Sequence, residues 1–217
     1  MNLEQARFNM IEQQIRPWDV LDSSVLSLLA LVKREDFVPP ALRGMAFMDL
    51  ELPIGEGQRM LAPKVEARLL QELAVQRHER VLEIGTGSGY MAALLAHKAR
   101  HVTSLEIRPA LGQQALINLQ RAAIVNADVR SADGAGGLPT EAPFDVILLS
   151  GSVAAVPQVL LDQLAVGGRL AAIVGQEPVM QALLVTRTAA QAFRRVELFD
   201  TVAPRLEGVS EPSRFVF

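Results

Sequence analysis

Cysteine is missing from all 217 residues, so the chain has no disulfide framework, no thiol nucleophile and no thiolate metal site. Imidazole is nearly as scarce: His78, His97 and His101 are the whole supply. His97 and His101 lie four apart but are surrounded by Lys98 and Arg100, a poor setting for a metal, and none is expected. No apolar run approaches the ~18 residues that would span a bilayer, and Glu4 and Glu12 spoil any signal-peptide layout at the start. A cytoplasmic protein with no membrane partner is the expectation. A positive surplus is absent too. The formal charge is −3, the pI is near 5.7, and Lys33-Arg34 and Arg194-Arg195 are isolated pairs, which argues against a nucleic-acid partner.

What is present is a chain half hydrophobic and 21% charged, long enough for one sizeable core. Residues 1–78 read as a helical extension followed by a substrate loop, and residues 79–217 as the main core of one globular unit. The spacing of Phe8, Ile11 and Ile15 predicts a helix over Leu3–Ile15 that Pro17 stops. Asp22 predicts the N-cap of a second helix through Val32. Asp49–Pro63, rich in Gly and Pro, reads as an irregular loop, and Glu66–Leu73 as a short amphipathic helix. From Arg80 onward strands alternate with helices, as in a parallel α/β sheet. Strands are predicted at Arg80–Ile84, His101–Glu106, Ala127–Arg130, Phe144–Leu149, Arg169–Val174, Leu183–Arg187 and Glu197–Thr201. Helices are predicted at Tyr90–Lys98, Pro109–Ala122 and Val156–Leu164. The last two strands lack a long helix between them, so an antiparallel hairpin should close one sheet edge.

Within this pattern the stretch from Val81 to Tyr90 carries the chemistry. A buried strand runs into Gly85, Gly87 and Gly89, and Glu106 stands at the end of the next strand. Glycines permit positive φ and let a ligand touch bare backbone, while an acid at that strand end accepts from both hydroxyls of a ribose. A dinucleotide fingerprint would put glycine where Tyr90 stands. Glu83 would repel a pyrophosphate but suits the ammonium of a methionine moiety. S-adenosylmethionine therefore fits better than NAD. The bland alternative is a strand-to-helix turn and a solvated acid. Ligands in such sheets bind beyond the carboxyl ends of the strands, which here are Gly85–Gly89, Glu106, Asp133-Gly134 and Ser150-Gly151-Ser152. Asp133 either accepts from an adenine amino group or belongs to a plain turn.

Phe37-Val38-Pro39, Leu52-Pro53-Ile54-Gly55, Gly57-Gln58, Ala62-Pro63, Val81–Tyr90, Asp133-Gly134, Pro143-Phe144-Asp145 and Gly167-Gly168-Arg169-Leu170 appear in this order. Together they resemble the protein-L-isoaspartate O-methyltransferase family across roughly residues 30–175. The resemblance implies a Rossmann-like, seven-stranded methyltransferase sheet with an N-terminal helical extension. It also implies S-adenosylmethionine as donor, S-adenosylhomocysteine as product, and a protein or peptide acceptor bearing an isoaspartyl-like carboxylate, in protein repair. Cofactor positions carry over to Glu83, Gly85, Gly87, Ser88, Gly89, Glu106, Asp133 and Gly134. Gln58, Met60, Thr86, Tyr90, Ile107 and Ser150 complete the expected cofactor set.

One segment departs from the family. Where the family reads G-Q-T-I-S-A-P-H-M, this chain reads Gly57-Gln58-Arg59-Met60-Leu61-Ala62-Pro63-Lys64-Val65. Arg59 and Leu61 thus stand in place of the acceptor-loop hydroxyls and are the catalytic-site candidates. A carboxylate is already anionic, so methyl transfer to it requires alignment more than a general base, and Arg59 offers a bidentate clamp. Lys64 could likewise replace a hydroxyl electrostatically; the alternative for Arg59 and Lys64 alike is a solvent-facing loop cation, favoured slightly for Lys64. Methylation of a different acceptor, or cofactor binding without turnover, are the competing readings. Methylation of base amino groups is disfavoured because Leu149-Ser150-Gly151-Ser152 carries no N-P-P-Y type of motif.

Overall fold

The computed structural model describes residues 2–210; Met1 and residues 211–217 of the expected core lie outside them. The first helix, α1 (Leu3–Met10), is capped by Asn2, whose side chain accepts from the Gln5 N–H at 3.2 Å. The chain winds on as a π-helix over Ile11–Ile15 and a 3-10 turn over Arg16–Trp18, and left-handed Asp19 (φ 60°) ends it. The expected helix therefore reaches Ile15, but with a change of pitch. Helix α2 (Ser23–Leu31) starts where predicted, with the Asp22 carboxylate accepting from Ser24 and Val25 N–H. Helix α3 (Pro63–Leu73) begins three residues before the expected Glu66, at a proline whose missing N–H costs nothing at that position.

Asp49–Pro63 is not the irregular loop expected. It contains an antiparallel pair, β1 (Leu52–Gly55) and β2 (Gln58–Met60), with Leu52 opposite Met60 and Pro53 opposite Arg59. Glu56 and Gly57 turn it with φ of 51° and 74°. Only Leu52 and Met60 are buried in the paired strands, too few anchors to show alternation in the sequence.

Seven strands make the main sheet: β3 (Arg80–Ile84), β4 (His101–Glu106), β5 (Ala127–Ser131), β6 (Phe144–Val153), β7 (Leu164–Gln176), β8 (Val179–Ala189) and β9 (Ala192–Thr201). Their order is β5-β4-β3-β6-β7-β8-β9, parallel through β7, with β8 and β9 added antiparallel as the predicted edge hairpin. The order reverses beside β3, so the crevice at the carboxyl ends of β3, β4 and β6 is where such a sheet holds its ligands. Helices α4 (Tyr90–Lys98) and α5 (Pro109–Arg121) match expectation. Helix α6 (Gln158–Asp162) is shorter than the expected Val156–Leu164, because Pro157 precedes it and Leu164 already pairs with Phe144 in β7.

Strand periodicity of two divides the core. Val81, Val102, Val146, Leu148 and Ile173 share one apolar cluster with Met10, Leu29 and Leu70 of the extension. Leu82, Ile84, Leu105, Ile147 and Leu149 point to the opposite cluster, with Leu160 and Leu161 of α6.

A fully buried cation ties the extension to both halves of the crevice. The Arg34 guanidinium forms an ion pair with Glu66 of α3 and donates to the Leu61 carbonyl at 2.6 Å and the Ala46 carbonyl at 3.1 Å. It also lies 5.3 Å from the centroid of the Tyr90 ring at the start of α4. Burial pushes the Glu66 carboxyl up to about 7, against the pull of Arg34. Removing one partner strands the other without water. Arg34→Met should cost about 3 kcal/mol or more in urea unfolding, and the double change with Glu66→Leu should recover most of that loss.

Candidate active site

The turn after β3 is built from glycines because its backbone turns left three times: Gly85, Gly87 and Gly89 have φ of 92°, 53° and 83°. They serve different neighbours. A Cβ on Gly89 would meet Ala115 of α5 at 3.2 Å, so that glycine lets α5 approach. A Cβ on Gly87 would lie 3.1 Å from Ile54 of β1, and one on Gly85 would lie 2.7 Å from Leu206. Glu106 ends β4 against this turn, its carboxylate accepting from the Gly87 N–H at 2.8 Å and the Arg108 N–H at 3.0 Å. Each oxygen retains a further lone pair for a hydroxyl donor.

Glu83 is buried one layer below. Its two oxygens accept from the Ser104 hydroxyl at 2.6 Å and the Ser150 hydroxyl at 2.7 Å, and Ser104 is itself 2.6 Å from the Thr86 hydroxyl. Burial pushes the Glu83 carboxyl up to about 7; the two serine hydroxyls pull it back down, while the nearby carboxylates of Glu106 and Glu66 push it further up.

Eight of the expected residues line one cleft: Gln58, Arg59, Gly85, Gly87, Glu106, Ile107, Gly134 and Ser150. The others do not reach it. Met60 and Leu61 are buried in the core beside the extension, so the replacement of the family's serine by Leu61 puts a side chain into packing and its carbonyl onto Arg34. Tyr90 is buried too, edge-on to Phe37 at 5.4 Å, and its hydroxyl has no hydrogen-bond partner among the described residues. Glu83 and Thr86 sit behind the cleft wall, Ser88 faces a neighbouring groove, and Gly89 faces α5. Asp133 is exposed and its Oδ1 accepts from the Ala135 N–H at 2.9 Å, as in a turn, with the other oxygen open to a further donor. Lys64 is no solvent-facing cation: it pairs with Asp49 at 2.6 Å and lies 4.5 Å above the Trp18 ring.

Residues outside the expected site set complete the walls. Ile54, Ile84, Leu105 and Leu111 supply apolar surface, and Leu206 and Glu207 form a roof. The segment after β9 is fixed there because Pro204 and Leu206 bond the backbone of Ser152 at 2.7 and 2.9 Å. Glu207 pairs with Arg108 at 2.6 Å and accepts from Gln58 at 3.1 Å.

A glycine turn after the first parallel strand, with a carboxylate at the end of the second, defines a nucleoside-cofactor site of the doubly wound class. Comparison with known proteins narrows the class. The family model for protein-L-isoaspartate(D-aspartate) O-methyltransferase matches residues 5–202, and the chain belongs to that family. It is similar to protein-L-isoaspartate O-methyltransferase 1 of Syntrophobacter fumaroxidans, at 44% identity over 85% of this chain and 86% of the relative. It is 42% identical to protein-L-isoaspartate O-methyltransferase 2 of Marinobacter nauticus, over 92% of this chain and 91% of the other. Among solved structures, a β-aspartate methyltransferase from Plasmodium falciparum in complex with S-adenosyl-L-homocysteine superposes with a TM-score of 0.81. That match covers 93% of this chain and 98% of the other at 21% identity, and it speaks for the fold.

The buried acid makes stability depend on pH. Glu83 titrates near 7 when folded, against an ordinary 4.5. Its contribution is therefore full below about 4.5 and is lost as pH rises through 7. Urea unfolding between pH 5 and pH 8 should show stability falling with pH, and Glu83→Gln should flatten part of that fall.

Proposed function

We propose that this protein is an S-adenosylmethionine-dependent carboxyl methyltransferase acting on isoaspartyl residues of damaged polypeptides. The observation that carries the reading is the pairing of chemistries in one cleft. Glu106 and the glycine turn suit a ribose and its attached chain, while Arg59 of β2 enters the same cleft exposed, with no hydrogen bond or ion pair among the described residues. Family membership and the relatives' names support the same conclusion.

The residues present fit that cofactor. Lone pairs remain on Glu106 for ribose hydroxyls, Ile107 and Leu111 give an apolar wall, and bare backbone at Gly85 and Gly87 allows close approach. Glu83, held between two hydroxyls behind the wall, is the group that would face an ammonium through Ser150. S-adenosylmethionine supplies an electrophilic methyl on its sulfonium when bound. The chain's part is positioning. Arg59 holds an acceptor carboxylate by paired N–H donors, doing with charge what hydroxyls do in the family pattern. Leu206 and Ile54 give apolar surface beside the glycine turn, against which the acceptor carboxylate would lose part of its hydration. No general base is required, since the acceptor oxygen carries its charge at neutral pH.

Methylation of an isoaspartyl peptide with labelled S-adenosylmethionine tests the reading. Activity is expected in the natural sequence, and Arg59→Ala should lower kcat/KM by roughly 1.5–3 kcal/mol, the worth of a hydrogen bond to a charged group. Methylation of some other carboxylate with none of the isoaspartyl peptide would overturn the substrate and keep the chemistry.

Glu106→Ala should weaken S-adenosylhomocysteine by on the order of 1–3 kcal/mol in calorimetry. Unchanged affinity would remove that carboxylate from the site. NAD should show no measurable heat.

A further inference from the structure

Beside the cleft lies a second concavity that none of the chemistry above uses. One wall is the extension from Asp36 through Pro40, with Arg43. The other wall is one face of α5, where Leu111, Gln114, Asn118 and Arg121 recur at helical spacing. Its volume is about 500 Å³, and Ile54 and Leu111 line both it and the cofactor cleft, so the two adjoin.

Three properties of this groove specify an occupant. The first is its floor. The Gln114 amide donates to the Asn118 side-chain oxygen Oδ1, and the Asn118 amide donates to the Ser88 backbone carbonyl, each at 2.9 Å. The Gln114 amide oxygen remains available to a backbone N–H. Ile117, 43% exposed, supplies apolar surface alongside. The second is charge. Lys33, Arg43 and Arg121 border the groove and its outer extension against the single carboxylate of Asp36, which Arg43 already pairs. Arg121 has no ion pair or hydrogen bond among the described residues. This is a basic strip on a chain of net charge −3. The third is length. From Leu111 to Arg121 the helix rises about 15 Å, the span of roughly four extended residues.

We infer that this groove binds the acidic flank of the acceptor polypeptide, about four residues on one side of the methylated carboxylate. The inference rests on the polypeptide acceptor proposed above. It makes the enzyme selective for damaged sites next to acidic sequence, with affinity set by Arg121 and its neighbours. The site of methyl transfer itself is unaffected.

Fluorescence anisotropy on the protein loaded with S-adenosylhomocysteine tests it. The peptides carry a central isoaspartyl residue with four glutamates, or four serines, on the N-terminal or the C-terminal side. One of the two acidic peptides should bind about ten-fold tighter than its serine counterpart, and the gain should shrink as salt rises. Arg121→Glu should remove the gain, Arg121→Gln should remove part of it, and binding of the serine peptides and of S-adenosylhomocysteine should stay unchanged. No gain from either flank, or a gain that survives Arg121→Glu combined with Ile117→Asp, overturns the proposal. Peptides with ordinary aspartate at the centre separate the two readings. An acidic-flank gain with those peptides, without methylation of any isoaspartyl peptide, defeats the acceptor reading and leaves the groove standing. Methylation without a flank gain defeats the groove alone.

Discussion

Arg34 holds together parts of the chain that are distant in sequence and have to meet at one crevice. Its guanidinium takes the Leu61 carbonyl at the end of the β1–β2 hairpin, the Glu66 carboxylate in α3, and the face of Tyr90 where α4 begins. A charged group with no exposure is costly unless its donors are spent, and here they are spent on carbonyls and a carboxylate. The expense is specific in effect. Apolar packing alone would hold the extension against the sheet, but its register relative to the glycine turn would be less determined. With Arg34 in place, β2 presents Arg59 to the cleft while Met60 and Leu61 turn into the core.

That register explains how a rewritten acceptor loop remains compatible with a methyltransferase site. Substituting the family's two hydroxyls leaves a cation in the cleft and an apolar side chain in the core. The hairpin backbone, fixed by Leu52 opposite Met60 and by Arg34 on Leu61, is the constant feature. Specificity then resides in what projects from it and from the walls around it. The extension forms both the rim of the cleft and one wall of the basic groove beside α5, so a single docking surface shapes both.

The glycine turn shows a similar division of labour. Gly89 is spent on packing against α5, Gly87 on the approach to Ile54, and Gly85 on the contact with Leu206. Glu106 reaches back across the sheet to bond the Gly87 N–H, which holds the turn open in a conformation only glycine adopts without strain. The carboxylate thus shapes the turn while keeping lone pairs open to a hydroxyl donor.

The sequence by itself determined the sheet and the location of the crevice. Apolar runs at Arg80–Ile84, His101–Glu106 and Phe144–Leu149 carry a local period, and the glycines and Glu106 lie at their ends, where any parallel sheet must open. The same local signals placed Asp22 as a cap and the closing hairpin at the edge. Only tertiary structure decided which side chains face the cleft. Leu61, Met60 and Tyr90 sit next to cleft residues in sequence yet point into the core: Met60 by alternation with Arg59 along β2, Leu61 just past the strand where Arg34 takes its carbonyl, and Tyr90 in the first turn of α4 against Phe37 and Arg34. Leu206 and Glu207 enter from a segment a hundred residues beyond Glu106 through backbone bonds to Ser152, a pairing with no local period to betray it. The hairpin in Asp49–Pro63 was hidden for the same reason: two buried anchors across a tight turn leave a pattern too short to read, and their partners lie elsewhere in the chain.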